Sequence, residues 1–220
     1  SLRQARGGVG AGMKPYSEHG GITIYHGDVL EVMDTLRGEP FDVVLTDPPY
    51  NVGLDYSDGD ARGDYEEWTR SWLAAMPRPL VVTPGLVNLH MWYRLEKPRW
   101  SCAWVKPNQC SPSALNGFSV WEPVLIYGRL AKPVGQDAWV QSIGTNQSGV
   151  GDHPCPKWLP FWRKLLEAVS EPDDLVLDPF LGSGTTARAA KDLGRRCVGI
   201  DAEERYCEIA AKRLSQEVLL

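Results

Sequence analysis

The chain has 220 residues, 43% of them hydrophobic, and a formal net charge of −5. That length suits one domain with a sizeable core, the composition is that of a globular protein, and no apolar run is long enough to span a membrane. The five cysteines (Cys102, Cys110, Cys155, Cys197, Cys207) are odd in number and form no CxxC pair, which argues against a structural zinc site and for reduced thiols in a cytosolic compartment.

In chain order, SLRQARGGVGAG (1–12) lacks the apolar core of a secretory signal and reads as a flexible tail before Met13. ITIYHGD (22–28) is a strand ending in an acid, and VLEVMDTL (29–36) is a short amphipathic helix. FDVVLT (41–46) is a β-branched run bounded by turn residues, hence a buried strand. The four residues that follow, DPPY, cannot continue a sheet ladder or enter a helix interior, because two prolines fix the path. Asp47, Pro48, Pro49 and Tyr50 therefore make a rigid corner at the carboxyl end of a strand, where open α/β sheets bind ligands. DYEEWTRSWLAAM (64–76) sets Tyr65, Trp68, Trp72 and Met76 at helical spacing, a stripe expected to face the core. LVVT (80–83), SCAWVK (101–106) and WEPVLIYG (121–128) are further strands. PKWLPFWRKLLEAV (156–169) is a helix, and DLVLD, TTARAAKDL, RCVGID and EERYCEIAAKRLSQ complete the chain as strand, helix, strand and helix. Strand–helix alternation predicts an α/β fold: a mostly parallel sheet with helices on both faces. Residues 51–64 and 133–152 resist assignment, and no repeat or separate second domain is visible.

Charge is uneven along the chain. Residues 1–77 carry 6 Lys/Arg and 13 Asp/Glu, residues 78–132 carry 7 and 2, and residues 133–220 carry 10 and 13. The basic middle segment also holds Trp92, Tyr93, Trp100, Trp104, Phe118 and Trp121. Interleaved cations and aromatics suit a phosphate backbone and unstacked bases, or equally a solvated face over a Trp-rich core.

A second constellation is LVLDPFLGSGTTARAA (175–190): a strand ending in Asp178, a Gly-Ser-Gly loop and a helix opening at Thr185 or Thr186. Glycines admit close backbone approach to a ligand, and a helix N-terminus offers free N–H groups. The loop is neither GxGxxG nor a triphosphate-binding loop. VGID follows about 20 residues on, and an acid there, Asp201, can take both hydroxyls of a ribose. Loop, helix and spaced acid together point to an adenosine-containing cofactor. Asp28 and Asp201 can also serve as helix N-caps, and His153 and Lys157 can be surface residues.

DPPY after a strand, with DPFLGSGTT before a helix, resembles the amino-methylating DNA methyltransferases that use S-adenosylmethionine. The catalytic motif precedes the cofactor motif, as in the permuted β group of that family. The resemblance spans about residues 22–214, implies a Rossmann-like methyltransferase fold, and places residues 13–220 in a single methyltransferase domain. HPCPKW (153–158) is similar to the HPxxKP stretch that helps hold the methionine end of the cofactor, with Trp158 in place of proline. The resemblance thus implies Asp47, Pro48, Pro49 and Tyr50 as catalytic. It implies Asp28, His153, Lys157, Asp178, Pro179, Phe180, Gly182, Ser183, Gly184, Thr185 and Asp201 as cofactor-binding, with no metal. WVKPN and WEPVLIYG resemble strands bordering the target-base pocket. The implied reaction methylates an exocyclic amine of a base flipped from double-stranded DNA, in a bacterial or phage-infected cytoplasm.

In the family DPPY accompanies mostly adenine and SPPY mostly cytosine, so N6-adenine is expected ahead of N4-cytosine. Related NPPY-type enzymes modify RNA or a protein glutamine. A reading from another class is a cofactor- or DNA-binding subunit without turnover. The segment available for target recognition, within 107–152, is short, so loop 51–64 is expected to assist it and a homodimer or partner to supply the rest.

Overall fold

The computed structural model describes residues 13–52, 62–108, 111–112, 118–144 and 157–215. The expectations for the tail at 1–12 and for His153 lie outside these residues, as do Cys110 and Cys155.

The strands are β1 (Ser17–His19), β2 (Ile22–His26), β3 (Val43–Thr46), β4 (Leu80–Val82), β5 (Trp100–Val105), β6 (Ser111–Pro112), β7 (Phe118–Ser119), β8 (Trp121–Tyr127), β9 (Ala138–Val140), β10 (Leu175–Asp178) and β11 (Arg196–Asp201). The helices are α1 (Val29–Thr35), α2 (Tyr65–Ala75), α3 (Leu89–Leu95), α4 (Leu159–Val169), α5 (Thr185–Asp192) and α6 (Glu204–Ser215). Nine strands form one sheet in the order β1-β2-β11-β10-β3-β4-β8-β5-β9, and β6 pairs with β7 apart from it. The run from β2 to β4 is parallel. β8 lies antiparallel between β4 and β5, and β1 is an antiparallel edge.

The central strands β3, β4 and β10 are buried at every position, as their apolar runs require when both faces are covered. On one face, Phe161, Trp162, Leu165 and Leu166 of α4 pack with the alanines of α5 and with Ala210 and Leu214 of α6. On the other, Val29 and Val32 of α1, Trp72 and Leu73 of α2 and Trp92 of α3 close over Val44, Leu80 and Leu177.

Every strand and helix read from the sequence is present within two residues of its expected ends, except that α4 starts at Leu159, three residues later than expected. The unanticipated elements are short: β1, α3 and β9, together with the β6–β7 pair. β9 sits within the unassigned stretch and joins the sheet edge by pairing parallel with β5.

The basic middle segment divides. Trp92 and Trp104 are core residues, while Tyr93, Trp100 and Phe118 are exposed. Arg78, Arg94, Lys106 and Lys132 pair with Glu96, Glu66, Glu122 and Glu171. Arg129 follows β8, whose end lies opposite Leu80 at the amino ends of the parallel strands, away from the DPPY corner. The interleaving thus reflects core packing and paired cations more than a phosphate-tracking stripe.

β10 and β3 are neighbours, yet the chain leaves them in opposite directions, toward β11 and toward β4. That is a topological switch point, where the loops splay and open a crevice. Both motifs end on it.

Candidate active site

The DPPY corner leaves β3 at Thr46 and is tied down on three sides. Tyr65 at the start of α2 donates its hydroxyl to the Pro49 carbonyl at 2.7 Å. Asn88 Nδ2 donates to the Tyr50 carbonyl at 2.5 Å. Asn51, at φ +57°, accepts from the Arg62 amide at 2.6 Å and donates to the Arg62 carbonyl at 3.2 Å. The Tyr50 ring lies on the backbone of Gly85, where an added Cβ would stand 3.0 Å from the ring; Gly85 has φ +70°, which glycine adopts without strain.

The glycine loop is held as firmly. Asp178 is 2% exposed and accepts on Oδ1 from Thr46 Oγ1 at 2.7 Å and from the Phe180 amide at 3.1 Å. The Thr46 bond joins the strand of one motif to that of the other. Asp201 accepts from the Gly182 amide on Oδ2 at 2.7 Å and from the Glu203 amide on Oδ1 at 2.9 Å. Burial pushes both carboxyls up to about 6, against the pull of those donors. Arg213 donates to the Ser183 carbonyl and to Thr185 Oγ1, each at 3.2 Å.

Between corner and loop lies a cavity of about 390 Å³. It brings together Asp28, Asp47, Pro48, Pro49, Tyr50, Lys157, Asp178, Pro179, Phe180, Gly182, Ser183, Thr185 and Asp201. Gly184 is not on its wall. It caps α5 at φ +79° and packs on α6, where a Cβ would meet that of Ala210 at 2.8 Å. Asp28 does cap α1, accepting from the amides of Leu30 and Glu31 on Oδ1, and it also lines the cavity.

Several lining residues escaped the sequence reading. Trp68, expected in the core, lines the cavity against Phe180, with the Arg62 guanidinium 5.2 Å from its ring. Trp72 and Met76 are core as expected. Tyr65, Trp162, Glu203 and Tyr206 also line it. Thr83, at the end of β4, donates to Asp47 Oδ1. Helical spacing could signal Tyr65 and Trp68 as one face; nothing in the sequence signals Thr83. Among the described residues no group of His, Cys, Asp and Glu could hold a metal ion, and no helix is long and apolar enough to cross a membrane.

This strand order, with a ligand-sized cavity at its switch point, is the Rossmann-like methyltransferase architecture. The profile of the N6/N4 DNA methylase family matches residues 91–212, and the chain belongs to that family. It is 33% identical to the putative methylase YubD of Escherichia coli K12, over 86% of this chain and 88% of that protein. It is 28% identical to the type II methyltransferase M.ScaI of Streptomyces caespitosus, over 93% of this chain and 84% of that one. Among solved structures, the M1.HpyAVI–SAM complex superposes with a TM-score of 0.67 at 25% identity, covering 89% of this chain and all of that one. The cytosine-N4-specific PvuII methyltransferase reaches 0.75 at 19% identity over 95% of this chain and 91% of that one, a likeness of fold.

Proposed function

We propose that this chain transfers a methyl group from S-adenosylmethionine to the exocyclic N6 amine of an adenine flipped out of duplex DNA. The observation that carries the reading is the single cavity that joins the Asp47–Tyr50 corner to the glycine loop across β3 and β10.

The residues present fit the cofactor. The cavity is within the usual range for small-molecule sites, roughly 300–1,000 Å³. Asp201 keeps a second lone pair on each oxygen after its backbone bonds, enough for two ribose hydroxyls. The Asp28 Oδ2 remains for an adenine amine, and Phe180 with Trp68 supplies apolar wall. Bound there, the cofactor supplies a methyl group carried on a sulfonium centre.

The other half of the site acts on the base. An exocyclic amine is a poor nucleophile because its lone pair is conjugated into the ring. Asp47 and the Pro48 carbonyl can accept its two N–H bonds and draw the nitrogen toward tetrahedral geometry. The prolines, Tyr65 and Asn88 fix these acceptors beforehand, so little reorganisation is needed at reaction. Asp47 receives the proton the methylated nitrogen sheds. Tyr50, backed by Gly85, stacks on the base. The base must leave the duplex, since its amine is otherwise paired. Aspartate rather than serine before Pro-Pro-Tyr supports adenine. Residues 107–152 and loop 51–64 supply target recognition, and a second copy or a partner completes the DNA contact.

Incubation with S-adenosylmethionine and unmethylated DNA, then nucleoside mass spectrometry, tests the reading. N6-methyladenine is expected. N4-methylcytosine would overturn the base assignment and keep the mechanism. Asp47→Ala abolishes transfer and leaves cofactor binding intact; transfer surviving that substitution would refute the role of Asp47.

A further inference from the structure

Three donors converge on one oxygen of Asp47. Tyr50 donates its hydroxyl to Oδ1 at 2.5 Å, Thr83 donates to the same oxygen, and Lys157 Nζ stands 3.1 Å from it. Among the described residues Oδ2 has no partner. Lys157 is itself held, donating to the Tyr50 hydroxyl at 2.6 Å and to Glu122 Oε2 at 3.1 Å. The other oxygen of Glu122 accepts from Lys106 Nζ at 2.5 Å. The side chains of Lys106 and Lys157 are 4% and 10% exposed. The result is a part-buried row of alternating charge, Lys106, Glu122, Lys157, Asp47, running from the end of β5 through β8 to the corner after β3.

We propose that Lys157 is a positioning residue for Asp47: it holds the carboxylate ionised and turned so that Oδ2 is left for the target amine, while Glu122 and Lys106 fix Lys157 in place. The inference rests on the role given to Asp47 above. It departs from the sequence expectation, which put Lys157 at the methionine end of the cofactor.

The physical argument is one of competing environments. A carboxyl in this cavity is pushed up by burial, and a protonated carboxyl is a weaker acceptor for an amine. Contact with an ammonium, and with the Thr83 and Tyr50 hydroxyls, pulls against that rise and favours the ionised form, although burial still leaves the carboxyl above its ordinary range. Burial alone would discharge the ammonium, but Asp47 and Glu122 together outweigh it and raise Lys157. Burial likewise works against ionised Glu122, yet Lys157 and Lys106 hold it at about 2. Three donors on one oxygen also fix the rotation of the carboxylate. The groups facing Asp47 are Tyr50 from its own loop, Thr83 from the end of β4, Lys157 from the segment before α4, Glu122 from β8, and Asp178 from the end of β10.

Single-turnover methyl transfer on prebound DNA, followed between about pH 5 and 9, tests this with wild type, Lys157→Met, Lys157→Arg and Glu122→Gln. Asp178 and Asp201 titrate in every variant, so the difference between profiles isolates Asp47. In Lys157→Met the acid limb should move up by about 1–3 pH units, with cofactor affinity by calorimetry unchanged and the rate recovered at high pH. Lys157→Arg should return the limb toward wild type. Glu122→Gln should move it down, because a negative charge near Asp47 has gone. A limb that stays in place while the plateau falls overturns the inference, and so does a loss of cofactor affinity with an unmoved limb. Should Lys157→Met not fold, Lys157→Gln decides: an upward shift supports the inference and an unmoved limb overturns it. Absence of transfer by folded, cofactor-bound wild type overturns the function reading and this inference with it, whereas the variant profiles overturn the inference alone.

Discussion

Thr46→Val removes the side-chain hydrogen bond that joins the carboxyl ends of the two motif strands. Thr46 is fully buried, and its Oγ1 donates to Asp178 Oδ1 at 2.7 Å. Valine has the same shape, so packing is little disturbed and the change isolates the hydroxyl. Near pH 8 Asp178 is ionised, because its carboxyl sits at about 6. A hydrogen bond to a charged group contributes about 1.5–3 kcal/mol, and one to a neutral group about 0.5–1.5 kcal/mol. Destabilisation should therefore be about 2 kcal/mol at pH 8 and fall toward about 1 kcal/mol at pH 5, where Asp178 is largely protonated. Urea unfolding at both pH values measures it. In a cycle with Asp178→Asn, coupling should be largest at high pH. Loss of less than about 0.5 kcal/mol, or a loss independent of pH, would refute the argument that Thr46 steadies an ionised Asp178.

Gly199→Ala would bring a Cβ to 2.6 Å from the buried Leu181 side chain beside the loop. Overpacking of this kind costs about 1–3 kcal/mol, and calorimetry should show weaker cofactor binding as Leu181 moves. Tyr65→Phe frees the Pro49 carbonyl; transfer should slow by roughly 3- to 10-fold, the equivalent of about 0.5–1.5 kcal/mol, with cofactor affinity held. The carboxyls of Asp178 and Asp201 are raised to about 6 in the folded protein. The folded state therefore binds more protons than the unfolded chain between about pH 4 and 6, so their contribution to stability is present at acid pH and lost as pH rises through 6. Asn at either position should flatten that part of a melting-temperature profile taken from pH 4 to 8.

Much of this was legible in the sequence because the informative residues are local. The β-branched runs, the proline pair after Thr46 and the glycine loop after Asp178 each dictate backbone within a few positions. The spaced acid at Asp201 needed only the alternation of strand and helix to be placed. What stayed hidden depends on distant chain. Thr83 reaches Asp47 across 36 positions and Lys157 reaches Glu122 across 35, and neither leaves a mark on its own neighbourhood. Trp68 has the spacing of a core residue and becomes a cavity wall only because Phe180 meets it. β9 is three residues between Asp137 and Gln141, too short for periodicity to register, and it is recruited by the free edge of β5.

The strand that opens the sheet, β1, packs against the last helix, α6, with Tyr16 close to Glu204, Glu208 and Lys212. The cavity, meanwhile, is assembled from loops of two strands that are adjacent in space but far apart along the backbone. Nothing in its geometry requires the peptide to visit β3 before β10. A chain spliced between the α6 and β1 ends and reopened between β9 and α4 would meet the glycine loop first and the DPPY corner second, with the hydrogen bonds between β3 and β10 kept. The order of the two motifs is therefore a property of how the loops are joined, and the chemistry is indifferent to it.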